Sequence, residues 1–136
     1  MRNAWLGVAV LACAGCNSAD KLYPVSGKVT YRGGPAAGAA VFFCRRGADP
    51  FNEPTIMGVV RADGAFTLVC GARGDGAPAG EYDVLIEWKQ NPPGGRGQMS
   101  QRPDRLKGRY ADPKHPRFHA IVKAGANELP TFELTD

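Results

Sequence analysis

A side-chain period of two runs through this chain and limits what it can become. Tyr82, Val84, Ile86 and Trp88 alternate with Asp83, Leu85, Glu87 and Lys89, so the two sets line opposite faces of an extended strand. Val25, Val29 and Tyr31 alternate in the same way with Ser26, Lys28 and Thr30. Further strands are expected from Ala39 through Phe43, at Ile56–Val60, around Phe66 and Leu68, at Phe118–Lys123 and at Glu128–Leu134. Beyond the N-terminal segment no stretch holds the 3.6-residue period of an amphipathic helix. Turn residues separate the strands. RGGP (Arg32–Pro35) is one turn, and RADG (Arg61–Gly64) reads as a tight hairpin whose Asp-Gly pair accepts positive φ. The last two strands read as a hairpin around AGAN. The 18 glycines and 11 prolines suit a chain that turns this often. The expected fold class is all-β: a single seven-stranded antiparallel β-sandwich with Greek-key links. A length of 136 residues is enough for one core and not two.

The N-terminus is of another kind. Arg2 carries a positive charge, Trp5 to Ala12 is an apolar run too short to span a bilayer, and the small residues Ala14 and Gly15 lead to Cys16. The segment ACAGC resembles the lipobox of bacterial lipoproteins, with Cys13 standing where Leu is usual. Cys13 is the rival site, but it has the bulky Leu11 two positions before it. Cys16 is therefore the expected lipidation site. The chain divides into a cleaved signal peptide (1–15), a lipidated tether (16–22) and a sandwich domain (23–136). The expected location is an exported protein, lipid-anchored to a bacterial membrane and facing the periplasm or the cell surface. Such a location permits disulfides and removes nucleic acid as a partner.

The segments YPVSGKVTYRGGPAAGAAVFF, RADGAFTL, GAPAGEYDVLIEW, DRLKGRYADP and VKAGANELPTFEL resemble small bacterial lipoproteins with a carboxypeptidase-regulatory-like domain. That domain is of the transthyretin-like (prealbumin-like) sandwich class. The resemblance spans Tyr23 to Leu134. It implies the fold and an anchored, exported location, and it implies no activity. In carboxypeptidases the domain is an accessory beside the zinc enzyme. A related transthyretin-like enzyme ends in Tyr-Arg-Gly-Ser, whereas this chain ends TFELTD.

The residues offer little for catalysis. No His-x-x-Glu pair and no Gly-x-Ser-x-Gly elbow occur, and the serines past the signal are Ser18, Ser26 and Ser100. Asp112, His115 and His119 have ligand chemistry for zinc. However, Pro113 and Pro116 prevent the helix that would align the two imidazoles, so no metal or other cofactor is expected. Trp88 shares the parity of Val84 and Ile86, which points to the core or its rim. Tyr82 reads as a corner tyrosine, leaving Tyr110 as the ring available to a sugar. Cys44 and Cys70 are a candidate disulfide, which would contribute about 3–4 kcal/mol. Their opposite strand parities count against the required geometry.

Charge is concentrated. Without Arg2 the mature chain has 16 basic and 13 acidic residues. Arg96, Arg102, Arg105, Lys107, Arg109, Lys114 and Arg117 fall together against Asp104 and Asp112. This stretch alone carries +5, and the rest of the mature chain is about −2. The long connection Gln90–Arg117 is therefore a candidate anion-facing loop, toward lipid headgroups or an acidic envelope polymer or protein. The tether Asn17–Leu22 reaches about 20 Å, which keeps the domain near its membrane. The expected function is that of a lipid-anchored envelope β-sandwich acting as a non-catalytic binding or structural module. The alternatives are a carbohydrate-binding module of the envelope and, behind it, a metal-dependent envelope enzyme. Acyl chains add about 0.8 kcal/mol per buried CH₂, so Cys16→Ala is expected to release the protein from membranes or block its processing, while Cys13→Ala leaves it anchored. Cell fractionation with intact-mass analysis checks this; an unmodified N-terminus on the membrane form would refute it.

Overall fold

The computed structural model describes residues 21–47, 54–89 and 103–135. The signal segment and Cys16 lie outside them. The strands are β1 (Leu22–Tyr23), β2 (Val25–Tyr31), β3 (Gly34–Pro35), β4 (Ala40–Arg45), β5 (Ile56–Val59), β6 (Ala65–Thr67), β7 (Val69–Cys70), β8 (Gly74–Asp75), β9 (Ala77–Pro78), β10 (Gly80–Glu87), β11 (Phe118–Val122), β12 (Asn127–Glu128) and β13 (Phe132–Leu134). No helix occurs among the described residues. A large sheet has the order β11-β10-β4-β5-β7-β8, and a smaller one gathers β12, β13, β3 and β6 around β2. A separate ladder joins β1 to β9. The chain is thus all-β and mostly antiparallel, in layers consistent with a sandwich.

Alternation decides what is buried. Tyr82, Val84 and Ile86 are fully buried on the inner face of β10, while Asp83, Leu85 and Glu87 are half-buried on the outer face. Phe66, Leu68, Val29, Val41 and Leu134 complete the core. Aromatic contacts bridge the two layers: Phe118 meets Phe132 at 5.0 Å, and Tyr31 meets Trp88 edge-to-face at 5.4 Å. The hydroxyl of Tyr82 donates to the Pro78 carbonyl at 2.6 Å, tying the β9–β10 corner to the sheet. This is the corner role that its position predicts.

Two expectations need correction, and the strand count needs refining. Among the described residues thirteen strands are present; seven have three or more residues, and two-residue ladders such as β1–β9 and β7–β8 stitch the connections. The pairing is not wholly antiparallel either: β12 and β13 both lie parallel to β2. The segments around AGAN therefore do not form a hairpin. Asn127 shapes the turn, its side chain accepting from Lys123 N and donating to the carbonyls of Lys123 and Gly125. Past the turn, Asn127 N and Leu129 N donate to Pro24 O and Ser26 O, so β2 captures the chain while β11 stays with β10.

RADG does form its turn. Gly64 sits at φ +87°, its N–H donates to Arg61 O, and Asp63 Oδ1 accepts from Ala65 N. The flanking strands then part, β5 staying in the large sheet and β6 pairing with β2. They pass so closely at Gly58 that a Cβ there would collide with the Thr67 carbonyl oxygen. Gly58→Ala is expected to cost about 1–3 kcal/mol, as overpacking does. Denaturant unfolding checks this, and an unchanged midpoint would mean the crossing is loose.

Both long strands run from one end of the molecule to the other. β1, β9 and the Gly80–Val122 pair mark the end where the described chain begins. Tyr31 and Trp88, at and just beyond the ends of β2 and β10, mark the other. Six residue steps along β2 separate the ends by about 20 Å.

Candidate functional site

Of the basic stretch, Arg105, Lys107 and Arg109 follow one carboxylate, which organises their turn at the end far from Lys21. Asp104 Oδ1 accepts from Trp88 N at 2.9 Å and from Leu106 N at 3.0 Å, and Oδ2 accepts from Gly108 N at 3.0 Å. Arg105 N donates to Trp88 O, and Lys89 bridges to Asp104, so this turn extends the large sheet past the end of β10. Leu106 is fully buried beneath the turn. Lys107 and Gly108 adopt φ of +55° and +76° to close it. The expected loop is therefore, from Pro103 onward, a structured appendage of β10.

This turn places Arg105 over the aromatic pair. Its guanidinium lies 4.2 Å from the Trp88 ring centroid and 5.4 Å from that of Tyr31. Arg32 lies 5.4 Å from the same Tyr31 centroid. The Trp88 indole N–H donates to Ala37 O at 3.0 Å, which fixes the ring. Trp88 is thus at the core's rim, as its parity predicts. Arg32 went unnoticed in the sequence; its signal is a basic residue directly after a strand-ending tyrosine and before Gly33.

The other basic residues scatter. Lys107 and Arg109 share the Asp104 turn. Lys114 lies in the exposed turn that follows Asp112, and Arg117 covers the Tyr110 ring at 5.2 Å. Arg96 and Arg102 lie outside the described residues. Tyr110, the ring expected to be open to a sugar, is buried and stacked on Phe118 at 5.6 Å. Trp88 has Arg105 over its ring and Tyr31 against it. Neither ring is a free stacking platform.

The metal candidates separate. His115 pairs with Asp112 at 3.0 Å, while His119 sits 2.8 Å from Asp83. No group of three His, Cys, Asp or Glu side chains able to hold a metal occurs among the described residues. Cys44 and Cys70 are free. Cys70 is in the core and Cys44 on the outer face, with β5 between their strands. Two strand spacings of about 4.8 Å exceed the ~7 Å reach of a disulfide, so the proposed pair is not brought together.

The outer face of the large sheet carries a second constellation. Cys44, Asp83 and His119 lie in register across β4, β10 and β11. Arg46 Nε donates to Asp83 Oδ1 at 3.1 Å. His119 Nδ1 stands 2.8 Å from that oxygen and 3.0 Å from Arg46 Nη2, so it serves one of them at a time. Beside this row a groove of about 360 Å³ is lined by Phe42, Cys44, Pro54, Ile56, Leu85 and Ala111, among others. The row contains the residue types of a nucleophilic triad in the wrong order. The carboxylate stands between thiol and imidazole, and burial followed by the Asp83 charge pushes the Cys44 thiol up, away from the reactive thiolate.

Compared with protein-family models and with curated proteins, the chain matches none.

Partial burial opposes ionisation of Asp83, but hydrogen bonds from Arg46 and His119 and their charges prevail and hold the carboxyl below its usual range. A depressed carboxyl stabilises the fold above the unfolded value of about 4, and that contribution disappears as pH falls through the folded value. Asp83→Asn is therefore expected to lower the melting temperature near neutral pH, with a deficit that shrinks as pH falls to about 2. Thermal unfolding at both pH values checks this; an equal deficit at both would assign the loss to packing.

Proposed function

We propose that the protein is a lipid-anchored β-sandwich of the bacterial envelope that works as a non-catalytic binding module, with its basic, aromatic-backed end turned outward. The segmental resemblance to small lipoproteins with a carboxypeptidase-regulatory-like, transthyretin-like domain supports the anchor at Cys16 and a seven-stranded Greek-key core. One observation carries the binding role. The Arg32–Tyr31–Trp88–Arg105 cluster is built at the end of β2 and β10 opposite the start of the described chain. A short N-terminal anchor holds the near end against the membrane, so this cluster is what the domain displays. In the outer-face row the Asp83 carboxylate stands between the Cys44 thiol and the His119 imidazole, an order that does not favour a thiolate nucleophile.

Trp88 makes this testable. The chain has 2 tryptophans, Trp5 and Trp88, and Trp5 leaves with the signal. The mature lipoprotein, reconstituted into neutral vesicles with brominated acyl chains, is expected to float with the vesicles while Trp88 emission stays unquenched. Failure to float would overturn the anchor. Strong quenching would overturn the outward orientation.

A further inference from the structure

We propose that His119 is a proton-operated selector on the outer face of the large sheet. Neutral, its ring accepts from Arg46 and keeps that guanidinium over Asp83; protonated, it takes Asp83 for itself and sends Arg46 to Glu81. The device is independent of the anchor and of what the far end binds.

One ring atom is under two incompatible demands. His119 Nδ1 lies 2.8 Å from Asp83 Oδ1, which as a carboxylate only accepts, and 3.0 Å from Arg46 Nη2, which only donates. A neutral ring with its proton on Nε2 accepts from Arg46. The guanidinium is then held at two points, because Arg46 Nε donates to Asp83 Oδ1 at 3.1 Å. A protonated ring carries a hydrogen on Nδ1 and donates to Asp83. The contact with Arg46 Nη2 then sets two cations against each other, and one of the two holding points becomes repulsive.

A second carboxylate is within reach. Arg46 Nη1 is already 3.8 Å from Glu81 Oε2, and the Arg46 backbone N–H donates to the Glu81 carbonyl at 3.1 Å. The base of the side chain is therefore fixed while its half-exposed guanidinium can turn. Glu81 and Asp83 lie two residues apart on one face of β10, so the turn carries a cation about 7 Å along the strand. It moves away from Cys44, which lies opposite Asp83 and lines the groove on this face. Protonation thus alters the charge at the edge of that groove without displacing a strand.

The charged and titratable groups that face His119 among the described residues are Asp83 and Glu81 on β10 and Arg46 after β4. Cys44 stands beyond Asp83 in the same row. Arg117, of the same parity just before β11, lies over the Tyr110 ring. Asp83 is held below the usual carboxyl range and stays ionised through mildly acidic conditions. The imidazole is the member whose charge changes between about pH 5 and 8.

The test uses the mature lipoprotein in detergent micelles. Nitrogen NMR signals of the Arg46 and His119 side chains are followed from about pH 8 to about pH 5, the span in which an imidazole changes charge. Arg46 Nε is expected to shift with the same midpoint as the His119 ring. His119→Gln should remove that shift, and His115→Gln, which changes the other imidazole, should preserve it. A charge felt through space would also perturb Arg46, so Glu81→Gln separates the two causes. With its destination gone, Arg46 should lose most of its shift while His119 still titrates. Dispersed backbone spectra show that each variant is folded. An Arg46 signal that stays in place while His119 titrates overturns the proposal. So does a shift that survives in His119→Gln or remains full-sized in Glu81→Gln.

Discussion

The carboxylate of Asp104 holds the far end of this molecule together. Past Val84 the edge of β10 has lost its neighbour β11 and would leave backbone donors unpaired, which is costly at a half-buried site. Asp104 accepts from Trp88 N and, in the same stroke, from two N–H groups of its own turn. Ile86 N finds the Tyr110 carbonyl a few residues further on. The turn between these two contacts buries Leu106 and raises Arg105 above Trp88. One side chain thus finishes the sheet, closes the core beneath Trp88 and aims a cation outward. Loss of that carboxylate would expose all three to the same disorder.

Closure at this end also explains why charge and aromatic rings coincide. The two layers part where β2 and β10 finish, and a sandwich must seal that gap with large side chains. Tyr31 comes from the small sheet and Trp88 from the large one, and they meet edge-to-face. Rings at a rim keep one face toward water, where a guanidinium can rest with its apolar surface covered and its N–H groups solvated. Arg32 and Arg105 occupy such places. The buried core among the described residues holds no charged side chain, so their charge lies at rims, turns and outer sheet faces, and at the far end it is backed by rings from both layers.

Strand parity was legible in the sequence because it is local. Tyr82, Val84 and Ile86 face inward, Trp88 reaches the rim, and the Tyr82 hydroxyl ties its corner, all as alternation predicts. Partner choice was not legible, since period two is satisfied by any neighbour. Nothing in the alternation of Phe132 and Leu134 says that they lie parallel to β2 and not against β11. The crossing at Gly58 depends on a backbone from a distant segment. Asp104 read as one acid in a basic loop because its hydrogen bonds depend on the end of β10, sixteen residues back in the sequence. Residue pairs such as Arg32 and Arg105 lie beyond any local pattern, because what joins them is a shared contact with the Tyr31 ring.

The outer sheet face shows why residue types alone are poor evidence of catalysis. Cys44, Asp83 and His119 fall on one cross-strand line, and a search for a thiol, an imidazole and a carboxylate would stop there. A nucleophile needs the imidazole beside the thiol, where it can take the proton and leave an ion pair that lowers the thiol pKa. Here the strand order puts the carboxylate in that position. Asp83 is kept ionised by Arg46 and His119, and its charge works against a thiolate at Cys44. Moving His119 beside Cys44 would require β11 to pair with β4, a place already filled by β10 and β5. The sheet order therefore opposes thiolate chemistry on this face and makes the Asp83 cluster a cross-strand clamp between β10, β11 and the turn after β4. That clamp steadies the long strand β10, just beyond whose far end the arginine cluster is built.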